Sequence, residues 1–265
     1  MTYQPVIPSG GNLGWSFLQR TQADQKDAFD NSSTMMRETQ YFLDRIGDIS
    51  SAEDLVSDRR LLTVALGAFG LDEDINNNFF IRKVLQEGTA DDAAFANRLS
   101  DKRYYELSDA FAFHLTPPNT TLSDFGDRIV DAYRNRQFEV AVGEQNSDLR
   151  LALGLQREME AFAERGLSEE AAWFTVMGNP PLRRVFEKAL ALPSQLAVID
   201  IDQQVREFSD KSRRVFGTSD PNDFVDPEKR EDLIQKFLFR AELEATKAAS
   251  SRGTVALSLL QSLAP

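Results

Sequence analysis

Cysteine is absent from the 265-residue sequence, and histidine occurs once, as His114. Without a thiol there is no disulfide framework, no thiolate zinc site, no iron–sulfur cluster and no cysteine nucleophile. A single imidazole rules out a multi-histidine metal site within one chain and routes any Ser-His-Asp triad through that one residue. Positive charge is also scarce: 30 Lys and Arg stand against 42 Asp and Glu, a net charge of −12. Binding along a phosphate backbone needs clustered Lys and Arg, so nucleic acid is not an expected partner. No window approaches the roughly 18 consecutive apolar residues of a spanning helix, so no integral membrane segment is expected. The opening Met1-Thr2-Tyr3-Gln4-Pro5 has no basic region followed by an apolar stretch, as a secretory signal would. The sequence therefore reads as that of a soluble, cytoplasmic protein. Export by a route without a cleaved signal is the alternative.

What the sequence does contain is helical periodicity. Apolar side chains recur one helical turn apart at Leu61, Ala65 and Phe69, at Phe80 and Val84, and at Leu107 and Phe111. Further stripes run through Phe125, Ile129 and Tyr133, through Ala152, Leu155, Met159 and Phe162, through Ile201, Val205 and Phe208, and through Leu233, Phe237 and Ala241. Each places apolar side chains on one face of a 3.6-residue helix, with charges between them. No segment makes a good case for a strand, so the expected fold is all-α. The 19 phenylalanines carry large apolar area and no polar group to satisfy. Most are assigned to cores and a few to a docking surface.

Helix ends are written in the same chemistry. Asn179-Pro180 and Asp226-Pro227 set a capping side chain before a proline, which is tolerated in the first turn because its missing N–H would be unpaired there. Ser51 with Asp54 three residues on is a variant capping box. Gly70, Gly88, Gly166 and Gly217 stand where stripes end, and Thr116–Thr120 reads as a loop.

Three ordered blocks suggest an internal repeat. Asp58–Leu61 with Val64 and Ala68 aligns with Asn179–Leu182, Val185 and Ala189 at a shift of 121. Gly88-Thr89-Ala90-Asp91 with Phe95 aligns with Gly217-Thr218-Ser219-Asp220 and Phe224 at 129, and Leu107, Phe111 and Phe113 align with Leu233, Phe237 and Phe239 at 126. The expected architecture is a multi-helix bundle of two related helical units packed through connecting helices. Residues 1–30 form an N-terminal arm, 31–122 the unit with the first repeat, and 123–166 the connectors. Residues 167–244 form the unit with the second repeat, and 245–265 a C-terminal tail.

Candidate chemistry is sparse. Asp72–Asn78 places oxygen ligands at calcium-loop spacing. However, Asn77 replaces the required glycine and Lys83 stands where a bidentate carboxylate belongs, so the segment reads as an inter-helix loop. Asp200 before Asp202 reads as a helix cap. His114 reads as a helix-end residue that satisfies terminal carbonyls, and the basic pairs Arg59-Arg60, Lys102-Arg103 and Arg213-Arg214 as partners of nearby carboxylates. There is no Gly-rich phosphate loop. No catalytic, metal or cofactor-binding residues are assigned. Both ends carry candidate partner-binding residues: Trp15, Phe17 and Leu18 beside a Gly-rich segment, and Leu259, Leu260 and Leu263 after a small polar run. Two readings apply to these ends: they pack back on the body, or they act as arms that order on a partner.

The runs Leu61–Leu71, Phe80–Gly88 and Phe95–Tyr104, with Gly143-Glu144-Gln145-Asn146 before Leu151-Ala152-Leu153, resemble the DUF1217 family of alphaproteobacteria across residues 50–245. That family is uncharacterised. Its members are often associated with flagellar gene clusters, so the resemblance implies a role in motility and supplies no catalytic residues. The expected function is a non-enzymatic one, through contacts with protein partners that include flagellar components. An enzyme or sensor with a small-molecule pocket between the two helical units is the alternative.

Overall fold

Thirteen α-helices, joined by short loops and 3₁₀ turns, follow one another without a strand among the described residues. The computed structural model describes residues 3–262, with side chains for all but 161, 163, 164, 194, 197 and 248–262. The chain divides into two compact units, neither continuous in sequence. The first takes Met1–Val6 and Arg20–Gln145, the second Ile7–Gln19 and Asn146–Pro265. This departs from the expected division. The region 123–166 is not a separate connecting module, because its two long helices belong one to each unit. Nor is 1–30 an arm: α1 (Gly11–Asp30) is regular helix from Gly11 onward.

In the first unit, α2 (Ser33–Arg45), α3 (Ala52–Ser57), α4 (Arg59–Phe69), α5 (Asn78–Glu87), α6 (Phe95–Arg98), α7 (Arg103–Phe111) and α8 (Phe125–Gly143) follow in order. The apolar stripe on α4 explains its central place. Leu61, Leu62, Val64, Ala65, Leu66 and Ala68 are all buried, against α2, α3, α7 and α8. Tyr133 of α8 lies over Gly67, close enough that a Cβ there would stand 2.6 Å from its ring. The Arg20–Asp30 half of α1 closes this unit, with Phe29 meeting Phe138 edge-on at 5.8 Å.

In the second unit, α9 (Ser147–Arg165), α10 (Glu169–Gly178), α11 (Pro180–Leu190), α12 (Ile201–Phe216) and α13 (Pro227–Ser262) pack around α11. That helix buries Leu182, Val185, Phe186, Ala189 and Leu190 and contacts each of the other four. Aromatic rings fill the centre. Trp173 lies 5.6 Å from Phe186 and 5.5 Å from Phe208, and Phe224 meets Phe186 edge-on at 5.4 Å. Of the 19 phenylalanines, ten are buried and only Phe79, Phe174 and Phe239 are exposed, so core packing is their main role.

The central helices α4 and α11 are built alike at both ends. Asp58 accepts from the N–H groups of Arg60 and Leu61, and Asn179 from that of Leu182. At the far ends Gly70 and Ala191 both adopt the left-handed conformation, with φ of 69° and 50°. The N–H of Leu71 returns to the carbonyl of Leu66, and that of Leu192 to Glu187. The likeness weakens elsewhere. Gly88 and Gly217 share a positive φ but differ in ψ, −156° against 1°. Leu107, Phe111, Leu233 and Phe237 are buried, whereas Phe113 is half-buried and Phe239 exposed.

Candidate functional site

The candidate anchors near the N-terminus are interior residues. Trp15 and Leu18 are fully buried in the second unit and Phe17 is half-buried. The indole N–H of Trp15 donates to both carboxylate oxygens of Glu231 on α13, at 3.2 and 3.0 Å. The Gln19 amide donates to the same carboxylate at 2.9 Å and that of Gln235 at 2.8 Å. A buried indole needs an acceptor for its N–H, and Glu231 provides it. This part of the chain is packed, not free to dock as an arm. At the other end, the side chains of Leu259 and Leu260, and Leu263 entirely, lie outside the described residues.

His114 also differs from expectation. Its ring packs against Gly88, within 2.3 Å of where a Cβ would stand, and its Nδ1 has no hydrogen-bond partner. Asp72–Asn76 forms a 3₁₀ turn, not a calcium loop. Asp72 accepts from Gln137 at 2.7 Å and Asp74 from the Tyr104 hydroxyl at 2.6 Å. Arg103 is held by Asp101 and donates to the Gly70 carbonyl, closing the C-terminal end of α4. Burial and then the charges of Asp72 and Glu38 push the Tyr133 hydroxyl up to about 12. These polar groups hold helix ends in place. Among the described residues, no group of three or more His, Asp or Glu is placed to hold a metal ion, and no helix is long and apolar enough to cross a membrane.

A concave surface lies between α10 and α12. Ser168 begins α10 by accepting from the Ala171 N–H at 3.3 Å, and Asp200 begins α12 by accepting from the Asp202 N–H at 2.9 Å. Ser209 donates to Glu169 at 3.3 Å, and Trp173 faces Phe208, so the two helices pack against each other. Between them is a groove of about 520 Å³, walled by Trp173 and Val205 and rimmed by Glu169, Glu170, Asp202 and Asp210. Arg206 is the one cation in its lining. The Trp173 N–H is satisfied internally, by the Ser219 carbonyl at 2.8 Å, and the ring is fully buried.

Outside the groove's lining, Phe174 lies on α10, Ile201 opens α12 and Val198 precedes it. These three are 40%, 45% and 85% exposed. Sequence reasoning used the Ile201 stripe only as core and dismissed Asp202 as a cap neighbour. The Ile201 stripe is visible in the sequence, but which of its side chains face outward is not.

A second apolar surface lies on α13. Phe239 and Leu243, one turn apart, are exposed while Leu233, Phe237 and Ala241 on the inner face are buried. Past Ala241, every residue from Glu242 to Lys247 is exposed.

A family model described as "Protein of unknown function (DUF1217)" matches residues 68–229. The crystal structure of a protein from Agrobacterium tumefaciens, a structural-genomics target, is similar, with a TM-score of 0.72 and 26% identity. The match covers 91% of this chain and 99% of that one. No curated protein matches. The family model spans more than half of the sequence, and the chain belongs to the DUF1217 family.

Proposed function

We propose that this protein works without catalysing a reaction, by binding other proteins in the assembly, structure or movement of the bacterial flagellum. The observation that carries the binding role is the exposed apolar surface of the second unit. Phe174 on α10, Val198 and Ile201 before and at the start of α12, and Phe239 and Leu243 on α13, are large side chains left in water although the cores nearby are filled. Keeping such residues exposed costs solubility, a cost offset when a partner covers them. The flagellar setting is supported by the family resemblance and the association of that family with flagellar gene clusters.

Affinity purification of the tagged chain from motile cells tests this reading. Flagellar components are expected among the captured proteins, and Phe239→Ser with Leu243→Ser is expected to reduce their capture. Normal filaments and normal swimming after deletion of the gene would reject the flagellar role. Fractionation of cytoplasm, sheared filaments and basal bodies then separates an internal adaptor from an exported component.

A further inference from the structure

Ahead of α1, Tyr3–Val6 belong to the first unit and are held there through their backbone. Gln25 of α1, only 6% exposed, turns its amide to a single residue, Val6. The Val6 N–H donates to Gln25 Oε1 at 2.6 Å, and Gln25 Nε2 donates to the Val6 carbonyl at 3.2 Å. The same Nε2 also donates to the Thr21 hydroxyl at 2.7 Å, which fixes the orientation of the amide. Gln145, just past α8, donates to the Pro5 carbonyl. Pro5 is buried, whereas Gln4 is exposed and Val6 is 56% exposed.

The N–H and C=O of one residue point to the same side where a chain is extended, and a neighbouring strand pairs with both. Here one side-chain amide makes that pairing. Such contacts read the main chain, not the side chains that face water. The buried position suits proline, which brings no N–H that burial would leave unpaired. Pro8–Gly10, next along the chain, are exposed and precede α1, so the segment can lift without unwinding a helix. We infer that the first unit binds an extended, proline-containing segment of another protein across Gln25 and Gln145, with Tyr3–Val6 seated there as a tethered competitor. The tether decides against a second copy as the occupant. An identical segment from another copy makes the same contacts but lacks the effective concentration that the covalent link provides. A foreign segment with further contacts displaces it. This inference rests on the reading of the chain as an interaction protein and names a class of partner, at a site separate from the apolar surface of the second unit.

Two measurements on the full-length chain test it, with an isotope-labelled synthetic peptide of residues 1–8 as the probe. In the first, hydrogen exchange of the wild type is followed as the peptide is added in excess. The chain's own Val6 N–H is expected to exchange faster as the peptide takes its place. In the second, Pro5→Asp sets a charge in the buried position and empties the site without altering Gln25 or Gln145. This variant is expected to bind the peptide about tenfold more tightly than the wild type, because the tethered competitor is gone. Adding Gln25→Leu is expected to weaken that binding about tenfold. Methylating the peptide's Val6 nitrogen, which removes one N–H and leaves every side chain, is expected to cost as much. Val6→Ala in the peptide is expected to cost less than about twofold. Unchanged exchange in the wild type overturns the inference even if Pro5→Asp unfolds the chain. So does a methylated or scrambled peptide that binds as well as the parent. Self-association of the wild type that the peptide abolishes would assign the site to a second copy and overturn the choice of a foreign segment. If the peptide binds as expected while no flagellar component is captured, only the flagellar setting is rejected. If capture persists while the peptide does not bind, only the peptide site is.

Discussion

Trp15 and Glu231, 216 residues apart in sequence, are joined by the indole N–H at 3.0 Å from one carboxylate oxygen and 3.2 Å from the other. Through this contact the segment Ile7–Gln19 becomes part of the second unit. A hydrogen bond to a charged acceptor contributes about 1.5–3 kcal/mol. Trp15→Phe, which keeps most of the apolar volume, is expected to destabilise the protein by about that amount, and Glu231→Ala by a similar amount. Because both remove the same bond, the double variant is expected to cost clearly less than the two single changes together. Urea unfolding of the four proteins measures this, and strictly additive losses would show that the bond does not hold the segment.

The same contact shows where the sequence stops being legible. Helix ends could be read locally because each cap is made within a few residues. Ser51, Asn179, Asp200 and Asp226 cap as their spacing suggests. The apolar stripes likewise predicted which faces of α4 and α13 are buried. Trp15 was read as a candidate anchor because nothing near it in sequence reveals an acceptor on α13. The split of the chain into discontinuous units is hidden for the same reason. Ala191 ends α11 in a left-handed conformation that composition assigns to glycine, so nothing in the sequence marks that end. The groove was missed because periodicity does not tell a stripe that meets another helix from one that is only half covered, as at Val205.

Gly67 predicts a packing effect. It is buried in the middle of α4, and a Cβ there would lie 2.6 and 2.7 Å from two ring carbons of Tyr133 and 3.1 Å from an Asp72 oxygen. Helix propensity favours alanine over glycine by about 1 kcal/mol, yet forcing a methyl into a filled core costs about 1–3 kcal/mol. Gly67→Ala is therefore expected to lower stability or leave it flat, and Gly67→Ala with Tyr133→Leu to recover what the ring contact costs. A clear rise in thermal midpoint for Gly67→Ala alone would mean that Tyr133 moves freely.

Acid is expected to weaken the first unit through Asp58. Burial alone would raise this carboxyl. The Tyr41 hydroxyl at 2.6 Å, the N–H groups of Leu61 and Arg60 and the charge of Arg45 outweigh that and hold it below the usual carboxylate range. A carboxyl lowered on folding adds stability that is complete above its unfolded value, near 4, and disappears as pH falls through its folded value. Asp54, lowered chiefly by the Ser51 hydroxyl, and Asp223, lowered chiefly by Thr218, act in the same direction. The stability difference between the wild type and Asp58→Asn is expected to be largest at neutral pH and to close below about pH 4. Chemical denaturation at several pH values follows it, and a difference independent of pH would remove Asp58 from the account.

The matched ends of α4 and α11 give a prediction with opposite signs. Gly70 and Ala191 occupy the same position after their helices, with φ of 69° and 50°, and the N–H of the next residue returns five residues back along the chain in both. An alanine pays about 1–2 kcal/mol for the left-handed conformation, while a glycine gives up about 0.4–1 kcal/mol through its freer unfolded chain. Ala191 is exposed, so removing its methyl opens no core cavity, and Ala191→Gly is expected to stabilise the protein by about 0.5–1 kcal/mol. Gly70→Ala runs the exchange backwards, and its Cβ would also stand 3.0 Å from the Arg136 guanidinium. It is expected to cost at least what Ala191→Gly gains. Thermal unfolding of both variants checks the pair. A fall in midpoint for Ala191→Gly would show that its strain is relieved in some other way, and that the two helix ends, alike in geometry, are not alike in energy.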